Sequence, residues 1–250
     1  MIAYKRRAFI LDSLGKKGVI SLKETAKELG VAEITVRRDF EKLESEGRLK
    51  RVQGGAASPD HPDGAELTTA SKLPQNTAEK EKAAQMAAEL VRDGESIFID
   101  DGTTMIPLVS ILCKRAVRIV THNTIILQKV TNPLAQIIMI GGEYKPYYNM
   151  NVGPIAQEML KQFCFDRAFF GCSGVNTQQR IVYLTEHESL NMKRIAMENA
   201  KQKYLLVDTS KFYKQGFLKF CGTECFDAIL SGQLPEGAEF LPNMIKYDTK

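Results

Sequence analysis

Residues 21–56, SLKETAKELGVAEITVRRDFEKLESEGRLKRVQGGA, constrain the fold more than any other part of the chain. Ser21 and Glu24 have the spacing of a capping box, in which a serine oxygen and a glutamate side chain each satisfy a free backbone N–H at the start of a helix. That helix is expected to end near Leu29, because Gly30 can take the positive φ that closes a helix and turns the chain sharply. A second helix is expected over 32–46. Val36, Phe40 and Leu43 fall at i, i+4 and i+7 and form its buried stripe, which leaves Thr35, Arg38 and Lys42 on another face and Arg37 at the border. Residues 47–55 carry Arg48, Lys50 and Arg51 around Leu49 and Val52, the alternation of a short two-stranded wing. An upstream helix over 4–14 turns Ile10, Leu11 and Leu14 inward and closes a small core.

Helix, glycine turn, basic helix and basic wing in this order read as a winged helix-turn-helix, with the helix-turn-helix at about 20–39. An Arg-Arg pair alone is an ordinary solvated helix face. Near the start of a recognition helix, the same donors reach base edges in the major groove or phosphates on its walls. The expected partner is therefore a duplex DNA operator, and the expected DNA-binding residues are Ser21, Thr35, Arg37, Arg38, Lys42, Lys50 and Arg51. Residues 1–58 hold 13 Lys and Arg against 8 Asp and Glu, a net +5, while the rest of the chain holds 21 against 22, a net −1. Positive charge confined to the DNA-binding end is the footprint of a phosphate-backbone binder, although it also serves solubility.

The stretch resembles the DNA-binding domain of the DeoR family of bacterial transcription regulators. Arg6, Ile10 and Leu14, then Thr35-Val36-Arg37-Arg38-Asp39-Phe40, Lys50-Arg51-Val52 and Gly54-Gly55-Ala56 stand where that family's pattern puts such residues. Ala32 departs from it, since the family usually places a serine N-cap there, and losing a capping oxygen costs roughly 0.5–2 kcal/mol.

The expected organisation is a winged helix-turn-helix domain over 1–57, a linker over 58–76 and a sensor domain over 77–250. Pro59, Pro62, Gly64 and Pro74 mark the linker. A helix over 77–92 follows, with Ala83, Met86, Ala87 and Leu90 inward. Beyond it, apolar runs at 97–99, 119–120, 137–140, 168–170 and 204–207 each end in a short loop of Gly, Ser, Thr, Asn, Asp or Lys. Helical segments lie between several of them, at 105–112, 125–130, 155–163 and 187–201. Runs apolar on both faces, alternating with helices, indicate a mainly parallel α/β sheet covered on both sides, with ligands bound beyond the carboxyl ends of its strands.

The loop chemistry favours an anionic ligand that carries hydroxyls. Gly102 permits a tight turn, Thr103 and Thr104 offer hydroxyls and N–H groups at a helix start, where the dipole favours phosphate, and Lys211 adds a positive charge. Asp101, Asn123 and Glu143 suit sugar hydroxyls, Gly141-Gly142 permits close backbone approach, and Thr121 and Gly171 lie in the same set of loops. Any one such loop is what an ordinary αβ turn uses; five at one edge weigh more.

The resemblance to the DeoR family extends over nearly the whole chain. Asp101-Gly102-Thr103-Thr104, Gly141-Gly142, Gly171 with Gly174, Lys193-Arg194 with Met197, and Asp208 with Ser210-Lys211 resemble motifs of the DeoR-type sensor domain. The resemblance implies a fold similar to that of the sugar-phosphate isomerases and a phosphorylated sugar as effector, with Lys193 joining the effector-binding residues. Cys172-Ser173 stands where relatives usually have Ala-Asp, Tyr183 replaces a usual glycine and Lys72 a usual arginine.

The expected function is a repressor of a carbohydrate-metabolism operon, acting as a homo-dimer or higher homo-oligomer, with operator affinity controlled by the effector. An isomerase carrying a DNA-binding domain is the alternative, and a purely structural DNA-binding protein a third reading that has no need of the five-loop edge. Isomerisation needs a placed base. Ser173 removes one candidate, and Glu186 and Glu188 read as the solvated start of a helix, so no catalytic residue is assigned and no enzyme is expected. Neither cofactor nor metal is expected; Cys221 and Cys225 with the distant His122 or His187 make a weak zinc pattern. The five cysteines, an odd count without paired spacing, read as reduced thiols, and no apolar run approaches the ~18–20 residues of a membrane span. A cytoplasmic protein without a membrane partner is expected.

Overall fold

The computed structural model describes residues 2–17, 19–52, 54–57, 72–73, 75–146, 148–232, 234 and 239–246, so most of the expected linker 58–76 lies outside the described residues. The chain divides into two compact units, 1–73 and 74–250. Among the described residues no helix is long and apolar enough to cross a membrane.

The first unit comprises α1 (Ala3–Lys17), β1 (Val19–Ser21), α2 (Leu22–Leu29), α3 (Glu33–Ser45), β2 (Lys50–Val52) and β3 (Gly55–Ala57). Ile10, Leu14, Val36, Phe40, Leu43 and Leu49 form its buried core, while Leu11 is only partly covered. The wing is larger than expected. β1 joins it as a third antiparallel strand in the order β1-β3-β2, pairing Ser21 with Gly55 and Val19 with Ala57. The central strand is pressed so close to β1 that a Cβ on Gly55 would lie 2.1 Å from the Ile20 carbonyl oxygen.

The second unit runs α4 (Thr77–Leu90), β4 (Ser96–Ile99), α5 (Met105–Leu112), β5 (Arg118–Thr121), α6 (Ile126–Lys129), β6 (Gln136–Met139), β7 (Glu143–Lys145), β8 (Met150–Val152), α7 (Pro154–Leu160), β9 (Phe165–Phe170), β10 (Gly174–Asn176), β11 (Ile181–Leu184), α8 (Glu188–Glu198), β12 (Ala200–Val207), β13 (Leu218–Gly222), β14 (Ala228–Ser231) and β15 (Met244–Lys246). Seven strands form one parallel sheet in the order β15-β14-β12-β9-β4-β5-β6. Alternate residues bury against opposite layers: Phe98, Val120 and Leu205 enter one core cluster, and Ile97, Ile99, Ile119 and Leu206 the other. Both faces are therefore covered, as parallel strands require.

From β4 the chain builds outward through β5 and β6, then returns to β9 and builds the other way through β12, β14 and β15. The reversal falls between β4 and β9. Such a point opens a crevice at the carboxyl ends of the strands, where open α/β sheets hold their ligands. The loops after β4, β5, β6, β9 and β12 leave from this edge, because the strands that feed them are parallel. Beside the main sheet stand an antiparallel sheet ordered β10-β11-β13 and the ribbon β7-β8, neither of which the sequence pattern suggested.

Candidate functional site

The DNA-facing features are set by local chemistry. The Ser21 side chain accepts from the Glu24 N–H at 3.4 Å and caps α2, and Gly30 closes that helix with φ 63°. Ala32 precedes α3 at the N-cap, where its φ of −66° and ψ of 145° are suitable but its side chain has no oxygen to accept from a free backbone N–H. Arg37, Arg38 and Lys42 are exposed on α3, and Thr35 is half-buried. Lys42 pairs with Glu46 at 3.6 Å. Asp39, which the sequence pattern assigned no role, is buried on the inner face, where it accepts from Arg6 and, at 3.2 Å, from Arg7, tying α1 to the recognition helix.

Arg51 is held within the domain. Its backbone N–H donates to Glu44 Oε1 at 2.8 Å, its Nε to Glu44 Oε2 at 2.6 Å, and its guanidinium reaches Glu41 Oε1 at 3.1 Å. These bonds hold the Glu44 carboxyl below its ordinary value. This side chain, expected to bind DNA, also fixes the wing to α3, and a groove of about 340 Å³ is lined by Leu22, Arg37, Phe40, Arg51, Val52 and Gly55. Lys50 and Arg48 are exposed on the same segment.

At the sheet reversal a charge cluster fills the crevice. Lys193, on α8 and 2% exposed, donates to Asp101 Oδ1 at 2.7 Å and makes a closer contact with Asp100 Oδ2. The second of those oxygens also accepts from the Gly171 N–H at 3.0 Å, so β4 and β9 are joined through one carboxylate. His122, fully buried and stacked on Phe98 at 5.8 Å, places Nε2 3.7 Å from Asp101 Oδ1 and 3.9 Å from Asp100 Oδ1, too far for hydrogen bonds. Both its ring nitrogens and Asp100 Oδ1 lack a hydrogen-bond partner among the described residues.

Burial drives the charges apart. It pushes the Asp100 carboxyl well above the usual carboxylate range, against the pull of Lys193. Burial acts the same way on Asp101, but Lys193 and His122 together hold it well below that range. Lys193 itself would be lowered by burial, and Asp100 and Asp101 instead raise it. Ligand atoms of Asp100, Asp101 and His122 lie within 4.8 Å of one another. They suit a divalent cation poorly, because the Lys193 ammonium already sits against both carboxylates and would repel one.

The expected effector residues divide into those the fold brings together and those it spends elsewhere. Asp101, Gly102 at φ 98°, the buried Thr103 and Thr104, Gly171 and Lys193 converge at the reversal. Lys193, however, gives its charge to two aspartates. Asn123 is not open to sugar hydroxyls: its Nδ2 donates to the Gly102 carbonyl at 3.2 Å and its Oδ1 accepts from Ile125 N–H at 3.2 Å, while Thr121 Oγ1 accepts from the Asn123 N–H at 3.1 Å. Glu143 stands at the surface in an ion pair with Lys145 at 2.7 Å. Gly141 is exposed, and Gly142 is needed for packing, since a Cβ there would meet the Val152 carbonyl oxygen at 2.6 Å. Lys211 ends a 3-10 turn, Thr209–Lys211, and is half-buried. Ser173 and Tyr183 are buried and joined through the backbone at 2.9 Å. Glu186, read as solvated, is 8% exposed. Asp100 and His122 were absent from the expected set; the signal available was two successive acids directly after a buried strand, with a lysine placed between Met192 and Ala196 on the buried side of a later helix.

A basic helix-turn-helix with a wing, joined in one chain to a parallel sheet whose reversal gathers a buried cluster of charges, defines a ligand-sensing DNA-binding regulator. Residues 6–61 match the DeoR-like helix-turn-helix domain and residues 75–233 the DeoR C terminal sensor domain. The chain belongs to the DeoR family. It is similar to the lactose phosphotransferase system repressor of Lactococcus lactis subsp. lactis, with 34% identity over 212 residues, 83% of this chain and 82% of that one. The lactose phosphotransferase system repressor of a Staphylococcus epidermidis strain is 30% identical over 235 residues, 92% of each chain. Among solved structures, ribose 5-phosphate isomerase A of Methanocaldococcus jannaschii aligns with a TM-score of 0.41 and 20% identity over 56% of each chain, a likeness that carries no argument about chemistry.

Proposed function

We propose that the chain is a cytoplasmic repressor of a carbohydrate-metabolism operon, working as a homo-dimer or higher homo-oligomer, and that a phosphorylated sugar at the carboxyl edge of the sensor sheet sets its operator affinity. The observation that carries the effector half is the cluster at the reversal. Two carboxylates bridged by the one Lys193 ammonium, with His122 beside them, offer acceptors and donors to sugar hydroxyls, while the N–H groups and hydroxyls of Gly102, Thr103 and Thr104 and the charge of Lys211 suit the phosphate. In the DNA-binding half, Arg38 is assigned to base edges and Lys50 to phosphate.

Selection of a duplex from a random pool, followed by affinity measurements with and without ribose 5-phosphate, glucose 6-phosphate or galactose 6-phosphate, tests both halves. Lys211→Ala is expected to weaken sugar-phosphate binding by about tenfold or more, the loss of one charge-assisted contact, and to leave duplex binding without sugar nearly intact. Equal sugar response in wild type and variant removes Lys211 from the site.

Isomerase turnover is the second reading, favoured by the buried Asp100, whose Oδ1 has no hydrogen-bond partner among the described residues. The engagement of Asp100 and Asp101 by Lys193 supports a binding role instead, and the proposal is that the chain has no turnover. Steady conversion of any of the three sugar phosphates by purified protein, lost on Asp100→Asn, would overturn it.

A further inference from the structure

We propose that Asn76 and Glu79 are positioning residues that bind the turn Thr209–Lys211 to the first turn of α4, so that occupancy of the effector site is felt where the chain leaves the sensor unit toward the DNA-binding one. This rests on the effector reading above and adds its regulation.

Asn76 holds the N-cap position of α4 in the left-handed region, at φ 51° and ψ 37°, where asparagine is among the few side-chain-bearing residues tolerated. Its side chain makes no cap bond. Its Nδ2 instead donates to Asp208 Oδ1 at 2.8 Å, an oxygen that also accepts from the Ser210 N–H at 3.0 Å. One turn along, Glu79 accepts from the Thr209 N–H at 2.7 Å and from Thr209 Oγ1 at 2.8 Å. The Lys211 N–H closes the same turn on the Asp208 carbonyl at 3.0 Å. The turn also belongs to the crevice: it follows β12, which runs parallel to β9 with Leu205 beside Phe170, and Phe212 directly after it bridges to Val175, just beyond the loop that carries Gly171 and Ser173. A phosphate drawn to Lys211 therefore stiffens or shifts a turn whose side chains and backbone are tied to residues 76 and 79. Residue 76 is where the expected linker 58–76 ends, so a change in the turn reaches the residue at which the sensor unit begins. Bonds that only pinned a surface loop would change stability without changing this response.

The test uses the full chain, the selected duplex and the three sugar phosphates named above. Asn76→Gly keeps a backbone conformation that glycine tolerates and deletes the amide; Thr209→Val deletes the hydroxyl bond to Glu79. In either variant, sugar-phosphate affinity by calorimetry and duplex affinity without sugar are expected to stay within about threefold of wild type, while the sugar-induced change in duplex affinity, about tenfold or more in wild type, falls below about threefold. In the wild type, sugar phosphate is expected to slow hydrogen exchange at the amides of Thr209 and Lys80, the latter bonded to the Asn76 carbonyl at 3.0 Å. A full sugar response in Asn76→Gly, or exchange at Lys80 unmoved by a sugar that protects Thr209, would overturn the coupling while leaving the effector reading intact. Loss of sugar affinity in both variants would place these residues in the binding machinery and overturn their positioning role. A wild type that binds none of the three sugars brings down the effector reading itself at the calorimetry step, and the coupling with it.

Discussion

Lys193 carries a positive charge into a place with almost no water, and it is stable there only because two carboxylates meet it. Lys193→Met removes the partner and keeps the aliphatic length, so a destabilisation of about 3–5 kcal/mol at neutral pH is expected. The sign of its pH dependence follows from the acids left behind. With the ammonium gone, burial holds Asp100 still further above its unfolded value of about 4, and an acid with a raised folded pKa destabilises the folded state once it must ionise. The deficit should therefore be small below about pH 4 and grow as pH rises toward neutrality, as read by urea unfolding across that range. An equal deficit at all pH values would mean that Lys193 contributes packing alone. Arg51 gives the contrasting case of a charge spent at the surface. Arg51→Ala should loosen the wing and weaken duplex binding while leaving the salt slope unchanged, whereas Lys50→Ala should lower that slope by about one. The two slopes, measured on the same duplex, decide whether Arg51 holds the wing or a phosphate.

Elements with a strong period were legible in the sequence, and those whose partners lie far away were not. α2 and α3 announced themselves through Ser21, Gly30 and the stripe Val36, Phe40 and Leu43, because caps and helical faces are local chemistry. β4, β5, β6, β9 and β12 were visible as apolar runs, although the runs understated β9 and β12, whose first residues include the polar Asp166, Arg167, Lys201 and Gln202. β14 and β15 were missed: the first is four residues long and the second is three residues at an edge. β1 escaped because its pairing with β3 spans most of the domain, and the ribbon β7-β8 because Glu143, Tyr144 and Lys145 show no apolar alternation. Of the site, the loop positions at 101–104 and 171 could be read, but whether Lys193 and Asn123 face a ligand or each other's neighbours is decided by tertiary packing, which no local pattern encodes. Ala32 leaves a correctable flaw in α3. Its backbone already has N-cap geometry, so Ala32→Ser should stabilise the DNA-binding unit by roughly 0.5–2 kcal/mol, seen as a higher unfolding midpoint of that unit. No gain would mean that the start of α3 is fixed by other contacts.

For the molecule as a whole, one recognition helix covers too few base pairs to find a site alone, so the selected duplex should contain two half-sites about one helical turn, or a whole number of turns, apart. Sedimentation of the complex should then show two or more chains per duplex. A selected duplex with a single asymmetric site, bound by one chain, would refute the oligomer.

The single direction of all seven sensor strands also separates what holds the domain together from what it recognises. The two buried layers contact the strands' flanks, whereas the polar loops, including Cys172-Ser173 and the Gly102–Thr104 segment, hang from one rim. The rim can therefore be recut while the core is kept, and loops grafted there from a relative should change ligand selectivity without refolding the scaffold.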